Sequence, residues 1–226
     1  MAVSFVALYF GFTSIYGGEV HIKKGDVSIN RKIKTYLDFK NENLERQKYD
    51  YSCGSSALAT VLRHFYGENI TEREILEWVL DFKGIKRKKL EQLEDTAFRL
   101  SFLELAEFAR SKGYKPLALA INMKNLKKLK VPAIVFVKIR RNEHFTVYRG
   151  TDRNFVYLAD PSFGNVKIRI DKFKEIFYTR NDPEFKGKIL VFIPQKGKKV
   201  KINKKFTEIP EESGFIYRLI KIKQVY

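Results

Sequence analysis

Gly113 divides the chain into two stretches of different period. Before it, apolar residues recur three and four apart. After it, they come in short, β-rich runs. Helices first and an antiparallel sheet second is the pattern of an α+β fold, with two subdomains and one cleft between them. Upstream, residues 54–66 are small and apolar, then amphipathic, and stop at Gly67, a good C-cap. Thr71-Glu72-Arg73-Glu74 reads as a capping box opening a helix over about 72–82. Its apolar side is Ile75, Trp78, Val79 and Phe82, with Trp78 expected in the core. Ser101-Phe102-Leu103-Glu104 starts another helix that ends at Gly113, and 83–100 reads as a basic loop with some helix near Leu90 to Phe98. Downstream, strands are expected over 117–121, 133–139, 144–149, 155–159, 166–170 and 188–194, with turn residues between them and a short helix over 171–178. The alternation from Phe215 to Val225 suggests an added edge strand.

The ends read differently. Residues 1–12 are apolar over the length of a secretory h-region, too short to cross a bilayer. We read 1–18 as a signal peptide cut beside Gly17-Gly18, with a buried first strand as the alternative. Gly17-Gly18 is also a double glycine, but a signal-peptide boundary explains it more simply than self-processing. The expected location is extracytoplasmic, or cytoplasmic if that segment is retained. Residues 19–39 read as an extended N-terminal arm, 40–195 as the main domain and 196–226 as a basic extension.

Charge and cysteine count narrow the chemistry. A net charge of +18 favours anionic partners, such as an anionic polymer or a membrane surface. The dense basic runs 83–89 and 196–205 read as solvated surface. With no zinc finger and no RNA-binding aromatic signature, specific nucleic-acid binding is not expected. One cysteine excludes an intramolecular disulfide framework and a cysteine-based zinc cluster. The three histidines have no metal-ligand spacing, so neither metal nor cofactor is expected.

That one cysteine, Cys53, stands where the first helix begins. A thiolate there is favoured by the positive end of the helix dipole. From this segment alone, a buried packing residue is an equal reading. A thiol nucleophile needs a base, and the base an orienting group. His21 lies at the end expected to be processed. His64 lies 11 residues along the same helix from Cys53, about 16 Å at 1.5 Å per residue, too far for proton transfer. His144 remains, at the start of a strand in which it shares a face with Thr146 and Tyr148. Centring the next hairpin near residue 152 sets position 144 opposite about 160, within reach of Asp160. Gln47, six residues before Cys53, offers an amide NH₂ toward an oxyanion at the same sulfur.

Gln47-x5-Cys53-Gly54, then His144-Phe145-Thr146-Val147, then Asp160-Pro161-Ser162-Phe163-Gly164 resembles the C39 family of papain-like cysteine peptidases, the double-glycine leader peptidases of bacteriocin export. The resemblance spans about 40–195. It implies a papain-like fold, Cys53 as nucleophile, His144 as general base, Asp160 orienting the imidazole, and Gln47 with the Cys53 N–H as oxyanion hole. The implied activity is a cysteine endopeptidase acting on a peptide or protein substrate, after Gly-Gly or similar small residues. The chain lacks the transmembrane bundle and the GxxxxGK[ST] motif of the exporter-borne members, and is similar instead to free-standing, exported ones. A non-catalytic leader-binding module of a secretion system and a thiol acyltransferase or amidase stay open as alternatives, since the latter share the acyl-thioester step.

Overall fold

The computed structural model describes residues 18–24, 27–85 and 100–209. The signal-peptide reading of 1–18 (all but its last residue), the helix near 90–98 and the edge strand over 215–225 lie outside the described residues. By contacts the chain divides into two compact units, residues 1–42 and 43–226.

The first unit holds an antiparallel hairpin, β1 (Gly18–Lys24) with β2 (Val27–Ile33), followed by a short helix α1 (Tyr36–Asn41). A strand is thus found where an extended arm was expected, and α1 is an addition to it. Its signal was present in the sequence. Thr35 Oγ1 accepts from the Asp38 N–H, and the Asp38 carboxylate accepts from the Thr35 N–H at 2.7 Å, a complete capping box.

The second unit is α+β. Its helices are α2 (Cys53–Thr60), continued by one π-helical turn over Val61–Phe65, then α3 (Glu72–Phe82) and α4 (Phe102–Ser111). Strand β3 (Tyr114–Ile121) follows Gly113, whose φ of +80° ends α4 in the left-handed region that glycine adopts most readily. After a one-turn helix, α5 (Met123–Leu126), come β4 (Ala133–Ile139), β5 (Asn142–Thr151), β6 (Phe155–Asp160), β7 (Gly164–Arg169), α6 (Ile170–Phe177) and β8 (Gly187–Pro194). The six strands form one antiparallel sheet in the order β3-β8-β4-β5-β6-β7.

The sheet has two buried faces. One packs on α2 and α4, which α3 backs from behind, through Ile134, Phe145, Val147, Ala159, Leu190 and Phe192. The other is covered by α5 and α6, through Met123, Leu126, Phe173 and Phe177. Helix α2 runs through the middle of the first layer, so Gly54 to Thr60 are all buried. This explains its composition of small residues: a helix enclosed on every side has no room for a polar face. A β-carbon on Gly54 would lie 3.1 Å from the Phe145 ring and 3.3 Å from Leu100. Helix α3 departs from its expected apolar side. Ile75, Leu76, Val79 and Leu80 are buried, whereas Phe82 is 51% exposed and stacks on Trp78 at 5.1 Å. Its capping box is half made: Thr71 caps the Glu74 N–H, but the Glu74 carboxylate pairs with Lys112 at 2.6 Å.

The basic stretch after Pro194 packs onto this same unit as far as it is described. Phe206, in a 3₁₀ turn over Lys204–Thr207, is fully buried in the helical layer. The Lys201 and Asn203 N–H groups donate to the Tyr66 and Phe65 carbonyls at 3.0 and 2.8 Å. Gly187 lies against the Phe177 ring. A β-carbon there would fall 2.1 Å from two carbons of the Phe177 ring, itself fully buried and stacked on Phe173. Gly187→Ala is therefore expected to lower stability by about 2–3 kcal/mol and the melting midpoint by about 5–10 °C, read by thermal unfolding followed by circular dichroism.

Candidate active site

Cys53 is the first residue of α2. Ser52 precedes it as N-cap, but its hydroxyl donates to the Tyr49 carbonyl at 2.6 Å and makes no cap bond to the helix. The first intrahelical bond runs from the Ser56 N–H to the Ser52 carbonyl at 3.0 Å. The N–H groups at the start of the helix thus have no intrahelical acceptor, and Cys53 sits at this electropositive end, half-buried.

His144 and Asp160 meet across β5 and β6. The Nε2–Oδ2 distance is 2.9 Å, and Asp160 is only 2% exposed. The register differs from the sequence expectation. Val147 pairs with Ala159, and a bulge between Tyr148 and Gly150 shifts the pairing beyond it. Continued toward the strand ends, this register sets Thr146 opposite Asp160, so His144 reaches the aspartate diagonally. A register error of two residues keeps every side chain on its face, whereas an error of one would have sent His144 to the other side.

The Asp160 carboxylate is held by more than the histidine. Its Oδ1 accepts from the Ser162 and Phe163 N–H groups, both at 2.9 Å, in the tight connection from β6 to β7. Burial alone would raise its pKa. The His144 hydrogen bond and charge, the Phe163 N–H and the Thr146 hydroxyl outweigh that and hold it below the ordinary carboxylate range. For His144, burial alone would lower the pKa. The Asp160 hydrogen bond and then the Cys53 sulfur, within hydrogen-bonding reach of the ring, push it up to about 9. Nε2 is taken by Asp160, which leaves Nδ1 for the sulfur. The arrangement favours the protonated, imidazolium form of His144.

Gln47 lies on the loop before α2 and lines the same cleft as Cys53 and His144, a space of about 730 Å³. Its N–H donates to the Pro161 carbonyl at 3.1 Å. The Ser162 hydroxyl donates to Gln47 Oε1 at 2.6 Å, which fixes which end of the amide carries the NH₂. One Nε2 hydrogen goes to the Tyr49 carbonyl at 3.2 Å, and an amide NH₂ has a second to donate. The neighbouring Arg46 guanidinium donates to the Ser162 carbonyl. The sequence shows Ser162 only as part of the Asp160–Gly164 motif and assigns it no role of its own. Its contact to Gln47 spans 115 positions of chain and leaves no local pattern.

The structure thus brings Cys53, His144 and Gln47 to one cleft, with Asp160 buried and bonded to His144. His64 is elsewhere, on the π-helical turn, with its Nε2 3.1 Å from Glu45 Oε1. His21 is in β1, in the other unit. Among the described residues no cluster of histidine, cysteine or carboxylate side chains suits a metal ion, and no helix is long and apolar enough to cross a membrane.

The model of the Peptidase C39 family matches residues 41–181, more than half of the chain, and takes in all four residues. The chain belongs to the Peptidase C39 family. Two bacterial relatives carry the name "Probable functional amyloid protease FapD". The protein of Pseudomonas fluorescens is 31% identical over 149 residues, 66% of this chain and 63% of the relative. That of Pseudomonas aeruginosa is 28% identical over 167 residues, 74% of this chain and 67% of the relative. The match therefore spans roughly two thirds of each relative, and slightly less for the first. Among solved structures, the peptidase domain of Streptococcus ComA, a bifunctional ABC transporter involved in quorum sensing, superposes with a TM-score of 0.51 at 24% identity, over 67% of this C39 chain and 98% of the domain. The helical layer on an antiparallel sheet is accordingly the α+β papain-like fold of this family.

Proposed function

We propose that this C39 chain is a cysteine endopeptidase, with Cys53, His144 and Asp160 as its triad and Gln47 in its oxyanion hole. The observation that carries the reading is the placement of His144 between a buried carboxylate and the chain's only thiol, with its pKa pushed up to about 9. The Cys53 thiolate attacks a peptide carbonyl carbon and forms the C–S bond. The carbonyl electrons move to oxygen, where the Gln47 Nε2–H and the Cys53 N–H receive the charge. The oxyanion then collapses, the C–N bond breaks, and the His144 imidazolium gives its proton to the leaving amine. Water attacks the thioester, His144 takes a proton from it, and Cys53 leaves as thiolate with the acid product released.

The substrate side follows the family resemblance: a peptide with Gly-Gly or similarly small residues before the cut. The names of the Pseudomonas relatives make proteins of functional amyloid systems a second substrate source for the same chemistry. We place the enzyme outside the cytoplasm, on the signal-peptide reading of residues 1–18. The test is to incubate the protein with a Gly-Gly peptide library and map the products by mass spectrometry. Cuts after small residues, abolished by iodoacetamide, are the expected result. A library left intact, or cuts that survive alkylation, would overturn the reading.

A further inference from the structure

The two-residue turn between β4 and β5 carries charge that the mechanism does not use. Ile139 and Asn142 face each other across it, and Arg140 and Arg141 form the turn itself. Both arginines are exposed and both line the cleft that holds Cys53 and His144. Neither makes an ion pair with a described residue. The nearest carboxylate in sequence, Glu143, lies 3.8 Å from Lys138. Asp50 lines the cleft from the loop before α2. Among the described residues that line the cleft, Arg140 and Arg141 stand with Asp50 and Glu143 as the carboxylates, and neither arginine is paired to either acid.

The backbone adds an independent observation. Arg140 has φ +58°, in the left-handed region where a hairpin turn of this length ordinarily takes glycine or asparagine. A long cationic side chain is kept where glycine would fold more easily, and such strain collects at sites that bind or react. Arginine is also the side chain suited to a carboxylate, through two parallel N–H···O bonds from a planar fork.

We propose that the Arg140–Arg141 turn is a specificity site for an acidic side chain of the peptide bound across Cys53. The inference rests on the endopeptidase reading and names the charge of its substrate. Arg141, in the turn just before β5, is three residues from His144, about 10 Å of backbone. An extended peptide covers that distance in about three residues. The acidic side chain therefore falls within about four residues of the scissile bond, on one side of it only.

The probe is a set of synthetic peptides with a Gly-Gly centre in an Ala/Ser background. A single Glu is walked through every position, with Gln at the same position as control. Wild-type protein is expected to prefer Glu over Gln by on the order of tenfold in kcat/KM at one position, mainly through KM, and less in about 300 mM salt than in about 50 mM. In Arg140→Gly/Arg141→Ser, where the glycine also relieves the backbone, the Glu/Gln ratio falls to about one. Arg141→Glu reverses the preference toward Lys in a matching series. No Glu preference within reach of the cut, or a preference that the double variant retains, would overturn the inference and leave the endopeptidase reading standing. Binding of the same peptides to Cys53→Ala protein, followed by fluorescence anisotropy, separates the two failures. If wild type cuts nothing, the endopeptidase reading falls, and the Glu/Gln ratio in binding still decides for or against the arginine site.

Discussion

Cys53→Ala protein is expected to lose peptide hydrolysis by a factor on the order of 10⁴ or more, with its melting midpoint almost unchanged. The size follows from the role proposed for the residue. Without the sulfur there is no covalent intermediate, and a water molecule held loosely in the cleft is a poor substitute. The small effect on folding follows from position. Cys53 lies half-buried at the mouth of the cleft, while the residues after it, Gly54 to Thr60, are the ones enclosed by the core. An internal control is available. His64 also sits beside a carboxylate, Glu45, with Arg63 on the same acid at 3.2 Å, but that pair lines no part of the cleft. His64→Asn should leave kcat/KM within about twofold. Equal losses in the two variants would mean that the assay reads global stability and not chemistry.

The second large effect concerns Asp160. Asp160→Asn keeps one oxygen for the Ser162 and Phe163 N–H groups, so the loop should hold its shape. The amide NH₂ then faces His144 Nε2 in place of a carboxylate oxygen, and Nε2 must accept where it had donated. The ring proton moves to Nδ1, the nitrogen that should exchange a proton with Cys53. A fall in kcat on the order of 10³ is expected. The pH profile gives a separate readout. The His144 pKa is raised to about 9 in the folded protein. Its protonated form, and the stability that form contributes, is therefore fully present below the ordinary histidine value and lost as pH rises through about 9. The leaving amine needs that proton, so wild-type activity should decline on an alkaline limb near pH 9. In Asp160→Asn the limb should move down by about 1–2 units. The acid side has the opposite sign. The lowered Asp160 pKa contributes stability above the ordinary carboxylate value, lost as pH falls through the depressed one. An alkaline limb unmoved by the substitution would argue against the coupling between these two groups.

The sheet half of the site was readable in the sequence because strand alternation is tolerant. The expected register was two residues off: on the turn side the pairing is three residues from that expectation, and the bulge at Arg149, which no residue type announces, takes one of them back. The face assignment of His144 and Asp160 survived, since two residues is one full period of the pleat. The start of α2 was readable for a similar reason, as Gly54 and the small residues after it mark an enclosed helix. What the sequence concealed depends on contacts made far along the chain. The Ser162 grip on Gln47 is one case. Phe206 is another: one aromatic anchor in a basic stretch looks like solvated tail until the pocket beside Phe65 is in place. The helix α1 is a different kind of miss. Its capping residues, Thr35 and Asp38, were there to be read, but the surrounding charge made the segment look extended.

The connection from Asp160 to Gly164 has a consequence for how the site can vary. Asp160 holds the imidazole, while the Pro161 carbonyl and the Ser162 hydroxyl hold Gln47. On the roles proposed above, three consecutive residues, Asp160 to Ser162, act as a spacer gauge between proton transfer and charge stabilisation. Lengthening or shortening them by one residue would misplace both functions in a single step. On the same proposal, adjustment for new substrates falls to parts of the rim that carry no such double duty, such as the arginine turn.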